Sequence, residues 1–246
     1  MWTTPGQPPR PALSSASGAV IFPFFPLFRP VTLTPDLLVA AYRAGAFPMA
    51  DPDDGGRVAW YAPDPRAVLP LDAFHVPKTL ARTVRAGRFR VTVDAAFEAV
   101  VRACAAPAPG REQTWISDDI VRAYTELWRL GLGHSVECWA DDGTGRGRFA
   151  GGLYGVALGG AFFGESMVSR ERDASKVALV WLVRRLRAGG FVLLDTQMST
   201  PHLARFGVVE VPRAEYERRL GAALAVRADW HALDRAPDDG RGGAAG

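Results

Sequence analysis

Cysteine and lysine are the scarce residues of this chain. Its 246 residues hold two cysteines, Cys104 and Cys138. One pair at this length is no disulfide framework, and neither a CxxC nor a Cys/His spacing offers a zinc site. No metal or other cofactor is expected, and a reducing cytoplasm is the simplest setting. Long apolar runs are lacking too. AVIFPFFPLF at 19–28 is broken by Pro23 and Pro26, which makes it too short to span a bilayer. Arg29-Pro30 follows it in place of a small-residue cleavage site, so neither a signal peptide nor a membrane partner is expected. Lysine occurs only as Lys78 and Lys176, so arginine carries the net charge of +3. Arginine suits phosphate better than lysine does, but a high-GC genome enriches it as well, and net charge speaks only weakly to partners.

What is present is ordinary globular material: 48% hydrophobic and 22% charged residues. The length allows one large domain, or a small one with a medium one. Residues 1–17 are rich in Pro, Ser and Thr and read as a disordered tail. Thr34-Pro35-Asp36 starts a helix with Leu37, Leu38, Ala41 and Tyr42 inward, and Gly45 ends it. FPMA at 47–50, a DPDDGG turn and WYAPDPR at 60–66 form a rigid extended segment, either a linker or the wall of a cleft. Lys78, Arg82 and Arg85 share one helical face, followed by Arg88 and Arg90. They read as a phosphate-binding patch or as a solvated face. Asp94 is expected to cap the next helix, and Ser117 or Asp118 the one after it. Trp115 is then a hydrophobic staple or an exposed stacking platform for a base.

Alternation at 134–139 signals a strand, and two further strands complete a β-meander. A long apolar helix follows, capped by Asp173 or Ser175, with Arg184, Arg185 and Arg187 expected at its solvated end. The short strand Phe191–Thr196 then delivers Asp195 and Gln197. Residues two apart on a strand share a face, so a carboxylate and an amide stand together at a C-terminal strand end, where α/β sheets keep their chemistry. Such a pair can orient an amine or polarise a carbonyl. Glu165 is expected on a short loop, as a further site carboxylate or as a salt-bridge partner of Arg170 or Arg172. From about Asp234 the tail reads as loose.

The chain resembles the leucyl/phenylalanyl-tRNA–protein transferases. The matching elements are FP at 47–48, WYAPDPRAVLPL at 60–71, TWIS at 114–117, HSVECW at 134–139, GGLYGVALGGAFFGESMVSR at 151–170, ASKVAL at 174–179 and LLDTQ at 193–197, then His202 to Gly207 and VPRAEY at 211–216. The resemblance covers about residues 35–220. It implies an α+β (α/β) fold: a small N-terminal α/β domain, then a domain like the acyl-CoA N-acyltransferases with a mostly antiparallel mixed sheet. The corresponding bounds are 18–66 and 67–233, with flexible residues at 1–17 and 234–246.

The implied activity is transfer of Leu or Phe, and less often Met, from aminoacyl-tRNA to the N-terminal Arg or Lys of a protein. The new peptide bond marks that protein for degradation. Neither metal nor coenzyme A is implied, and a monomer is expected. By resemblance Asp195, Gln197 and Glu165 are catalytic, and Trp115 meets the terminal adenosine. Leu153, Phe162 and Leu186 line the amino-acid pocket, with Ser169 and Thr200 as nearby polar candidates. Lys78, Arg82 and Arg85 are the candidate tRNA contacts. Two departures stand out. Met49 replaces the tryptophan of the family's FPW, a weaker stacking surface, and FPLFRPVTL replaces a Gly-rich stretch before the first helix.

Two rival readings are an acetyl-coenzyme A-dependent N-acetyltransferase and a non-catalytic tRNA-binding protein. The first needs a glycine-rich turn for the pyrophosphate, whereas SRERDASK precedes the long helix. The second is disfavoured by the presence of Asp195, Gln197 and Glu165 together.

Overall fold

The computed structural model describes residues 32–108 and 112–235. The expected N-terminal tail, the apolar arm at 19–28 and the chain beyond 235 lie outside these residues. Helix α1 (Pro35–Arg43) starts where Thr34 accepts from the Leu37 N–H, and it buries Leu38, Ala41 and Tyr42. Gly45, at φ 78°, turns the chain out of it. Strands β1 (Phe47–Asp51) and β2 (Arg57–Tyr61) pair as an antiparallel hairpin around the DPDDGG turn. The 47–61 stretch is therefore paired strand rather than linker, and its continuation enters the main sheet as β3 (Arg66–Val68).

Next come α2 (Lys78–Arg85), β4 (Arg90–Val93), α3 (Phe97–Ala105) and α4 (Asp118–Arg129). The meander is β5 (Gly133–Ala140), β6 (Arg148–Leu158) and β7 (Ala161–Ser169). Helix α5 (Ala174–Ala188) crosses over to β8 (Leu193–Gln197). Short α6 (Pro201–Ala204), β9 (Val209–Val211), α7 (Arg213–Leu224) and α8 (Ala232–Arg235) finish the described chain. The larger sheet runs β4-β5-β6-β7-β8-β3-β9, and only β7 and β8 pair in parallel. A parallel pair needs a long crossover, which α5 supplies. The sheet is thus mixed and mostly antiparallel. One face carries α1, α3, α4 and α7, and the other carries α5, α2 and the segment around Trp230.

Two irregularities shape the centre of the sheet. Gly155 stands opposite Gly164 but Tyr154 stands opposite Ser166, so Glu165 is an extra residue on β7. Bulges re-aim a side chain and recur beside functional sites. Glu165 is therefore on a bulged strand rather than a loop. Pairing of β7 with β8 also ends at Phe163 and Asp195, so the strands part just where Glu165 and Gln197 begin. The bulge requires Gly155. A Cβ there would meet the Phe163 carbonyl oxygen at 2.3 Å and the Phe162 ring at 2.4 Å. Gly155→Ala should cost about 1–3 kcal/mol or more as overpacking, read as a lower urea midpoint; an unchanged midpoint would mean that the bulge relaxes freely.

Several sequence expectations are corrected. Asp94 does not cap α3, whose N-cap residue is Ala96. At φ 56° it instead accepts from the Ser135 N–H at 2.7 Å and from Trp230 Nε1 at 2.9 Å, with His134 Nδ1 at 2.9 Å. Buried donors of a strand and an indole need an acceptor more than an exposed helix end does. Asp173 occupies the N-cap position of α5 without a capping bond, because Lys176 holds its carboxylate at 2.7 Å. Arg185 is buried rather than solvated, bonded at 2.8 Å both to the Trp230 carbonyl and to Asp234. Arg187 donates to the Leu71 carbonyl at 2.6 Å. The chain around Asp234 is accordingly ordered as α8, tied down by the partner that a buried guanidinium requires.

Candidate active site

Two buried carboxylates meet through Gln197. Asp195 and Gln197 end β8, and Glu165 sits on the β7 bulge beside it; all three are 0% exposed. Asp195 is fully engaged. It accepts from Arg66 Nε at 3.0 Å and Nη2 at 2.7 Å, from the Tyr216 hydroxyl at 2.6 Å and from the Gln197 N–H at 2.8 Å. Arg66 comes from β3, the neighbouring strand, and is itself buried. It also donates to the Gly45 carbonyl at 3.0 Å and lies against the rings of Phe47 and Tyr216, at 5.0 and 4.6 Å. Burial, the largest single influence, lowers the guanidinium's pKa, but the Asp195 charge and hydrogen bond together with Tyr216 and Glu165 hold it above its ordinary value.

Glu165 accepts from the Tyr42 hydroxyl at 2.7 Å, the Tyr124 hydroxyl at 3.0 Å and Gln197 Nε2 at 3.0 Å. The two phenols also touch each other. Its partners are thus tyrosines and an amide rather than Arg170 or Arg172. Burial raises the Glu165 pKa; the Tyr42 and Tyr124 hydrogen bonds oppose the rise and the Asp195 charge adds to it. Burial first, then the nearby carboxylate, pushes Tyr42, Tyr124 and Tyr216 upward, so all three remain neutral donors.

A stability consequence follows with a definite sign. A carboxylate raised above its unfolded value, near 4.5, favours the fold below that pH and loses this contribution as pH rises through the folded pKa. The stability difference between wild type and Glu165→Gln should therefore move toward the variant as pH rises from about 4.5, then level off. Urea titrations at a series of pH values measure it; a flat difference would show that Glu165 ionises as freely folded as unfolded.

Gln197 is the junction of both networks. Its backbone is left-handed, at φ 59°, which costs of order 1–3 kcal/mol for a non-glycine residue. The Asp195 carboxylate bonding its N–H offsets that cost. Its Nε2 is committed to Glu165, whereas its Oε1 is buried with no hydrogen-bond partner among the described residues. The Tyr154 hydroxyl, beside Tyr124 at 5.6 Å between centroids, is the same. Buried polar atoms are nearly always bonded. A lone acceptor held in place from two sides is suited to a donor brought by a ligand.

The profile of the leucyl/phenylalanyl-tRNA protein transferases matches residues 68–221, and that of their N-terminal domain matches residues 32–64. The leucyl/phenylalanyl-tRNA–protein transferase of Salinibacter ruber is 60% identical over 83% of this chain and 86% of its own length. That of Rubrobacter xylanophilus is 62% identical over 78% of this chain and 95% of its own. This chain belongs to the leucyl/phenylalanyl-tRNA protein transferase family. It is an aminoacyltransferase. Among solved structures, L-PGS from Bacillus licheniformis reaches a TM-score of 0.39 at 13% identity, over 57% of this chain and 49% of that one, too slight a likeness to carry an argument.

Within this transferase, the residues singled out from sequence fall into separate groups. Asp195, Gln197 and Glu165 are brought together as described. Leu153, Phe162 and Leu186 are brought together with one another, but in the core on the opposite face of the sheet from the Tyr42–Glu165 network. Met49 and Trp115 lie on the network's face, 4% and 6% exposed. Trp115 is thus packed into the core rather than offered as an exposed platform. Its carbonyl also accepts from the Ala50 N–H at 3.0 Å, tying it to β1. Ser169 and Thr200 serve as helix caps: Ser169 accepts from the Ser175 N–H at 2.9 Å and Thr200 from the Leu203 N–H at 3.2 Å. Lys78, Arg82 and Arg85 are exposed on α2.

Sequence reasoning missed Arg66, Tyr42, Tyr124, Tyr154 and Tyr216 as site residues. One signal was available. Tyr42, Tyr124 and Tyr216 occupy core-facing positions of three helices, and a phenol placed there needs a buried partner. Arg66 gave no such signal, because its partner is 129 residues away in sequence.

Proposed function

We propose that this enzyme transfers Leu or Phe, and less readily Met, from aminoacyl-tRNA to the N-terminal Arg or Lys of acceptor proteins. The observation that carries this reading is the buried, unpartnered Oε1 of Gln197, fixed by Glu165 on one side and Asp195 on the other. An aminoacyl ester is already activated, so positioning can supply about 7–11 kcal/mol of barrier reduction. The neutral α-amine of the acceptor donates one N–H to Gln197 Oε1, which aims its lone pair at the ester carbonyl carbon. The C–N bond forms, the carbonyl oxygen takes the negative charge, and the tetrahedral intermediate collapses. The C–O bond to the ribose breaks, and the proton lost by nitrogen ends on the ribose oxygen. An amide oxygen accepts a hydrogen bond without taking the proton, so Gln197 orients the amine and the ribose is the final proton acceptor. Asp195 has its oxygens engaged by Arg66, Tyr216 and Gln197, which supports a positioning role. Glu165 supplies negative charge for the acceptor's cationic side chain or α-amine.

The aminoacyl side chain enters where β7 and β8 part and reaches Leu153, Phe162 and Leu186. An apolar pocket separates side chains differing by one methylene by only about 1–3 kcal/mol, consistent with some use of Met. Met49 and Trp115, nearly buried, support from beneath the surface on which the terminal adenosine rests. Lys78, Arg82 and Arg85 on α2 meet tRNA phosphates. The same reading includes a monomer at work in the cytoplasm, a small N-terminal domain over 18–66 with a catalytic domain over 67–233, and degradation of the modified proteins.

The test is transfer of radiolabelled Leu and Phe from charged tRNA to otherwise identical proteins beginning with Arg, Lys or Asp. The expected result is labelling of the Arg and Lys proteins only. Labelling of none, or of all three alike, would overturn the reading.

A further inference from the structure

A second polar recess lies where α2, α5 and α6 meet. It is a cleft of about 90 Å³ lined by Thr79 of α2, Asp173 and Lys176 at the start of α5, and His202, Arg205 and Phe206 in and after α6. That volume is well below the about 300–1,000 Å³ of a drug-sized site, so it suits one small group. Three features give the cleft its chemistry. His202 Nε2 is buried with no hydrogen-bond partner among the described residues. Lys176 spends one of its three donors on Asp173 at 2.7 Å. Arg205 is exposed, and among the described residues no carboxylate is paired with it. The imidazole is pushed down to about 4, first by burial and then by the charges of Lys176 and Arg205, which outweigh the opposing Asp173. His202 is therefore neutral at pH 7 in a cleft whose field is net positive.

The position of the cleft matters as much as its charge. His202 is five residues past Gln197, and α6 follows β8 directly. On its other side the cleft borders the start of α2, which carries Lys78. It thus lies between the end of β8 and the basic helix.

We propose that this cleft is a phosphate subsite, in which Arg205, Lys176 and the Nε2–H of His202 hold one phosphodiester of the strand whose aminoacylated end reaches Gln197. The inference rests on the proposed use of aminoacyl-tRNA. A neutral imidazole donates one hydrogen bond to a phosphate oxygen, and the two cations neutralise its charge.

The test compares Arg205→Ala and His202→Phe with wild type on two donors, aminoacyl-tRNA and an aminoacyl-adenosine that carries no phosphate. Thermal melting first verifies that both variants fold. On aminoacyl-tRNA, each variant should raise KM about three- to tenfold with kcat within about twofold, and Arg205→Ala should lower the salt slope of binding by about 0.7, the share of one single-strand phosphate contact. On aminoacyl-adenosine both variants should match wild type. Unchanged KM and salt slope on tRNA would overturn the subsite, and so would an equal loss on both donors. A wild type inactive with both donors would instead overturn the proposed transfer, and the subsite with it.

Discussion

Asp195→Ala should lower the rate of transfer from aminoacyl-tRNA by about a hundredfold or more, with KM for the tRNA within a few-fold. The loss is large because Asp195 holds Gln197, Arg66 and Tyr216 in place. It bonds the Gln197 N–H at 2.8 Å and so sustains the left-handed backbone that aims the amide. It also anchors Arg66 and Tyr216. Without it Gln197 loses its fixed direction, and misplacement by about 1 Å can cost about 10²-fold. Asp195→Asn keeps one acceptor for the Gln197 N–H, so it should retain more activity than Asp195→Ala while the fold is preserved. Single-turnover rates on folded protein measure both. Equal, near wild-type rates would remove Asp195 from the mechanism.

Arg66→Met should be the most destabilising single change among the site residues. It leaves the Asp195 carboxylate buried with its cation removed, and breaking a buried pair from one side costs about 3–5 kcal/mol. At about 2–4 °C per kcal/mol for a chain of this size, the melting temperature should fall by roughly 6–20 °C. Replacing both partners, as in Arg66→Met with Asp195→Leu, should recover part of that stability, because the unpaired carboxylate is gone while the Gln197 N–H and the Tyr216 hydroxyl lose their acceptor. It should not recover transfer. A double variant as unstable as the single one would mean that Arg66 matters chiefly through Gly45 and the Phe47 and Tyr216 rings. In that case the ion pair is incidental to stability.

The two predictions depend on residues that were unequally legible in the sequence. Asp195 and Gln197 were visible as an i, i+2 pair on an apolar strand, because strand periodicity is local. The β-meander and the long helix after it were visible for the same reason. Their register was not. The unmatched Glu165 on β7 arises from how Gly155 and Gly164 align across two strands, and no local pattern encodes that. Arg66 looked like part of a proline-rich connection, yet it is the cation at the core of the site. Asp94 and Arg185 looked like a cap and a solvated charge. Both are instead committed to the segment around Trp230, about 136 and 45 residues away. Long-range partners of buried charges are fixed by the assembled fold, and they are where local reasoning failed. Trp115 illustrates the opposite error: an aromatic beside an N-cap was open to both readings, and packing against the core decided for the buried one.

The most direct test of the central claim is a single-turnover measurement on Gln197→Met. Methionine approximates the side chain's length, but it removes the Oε1 acceptor together with the Nε2 donor to Glu165. If Oε1 orients the attacking amine, the transfer rate should fall at least about tenfold, within the scale of one lost positioning contact, while KM for aminoacyl-tRNA stays within about threefold. A transfer rate equal to wild type, on folded enzyme with charged tRNA in excess, would contradict the account.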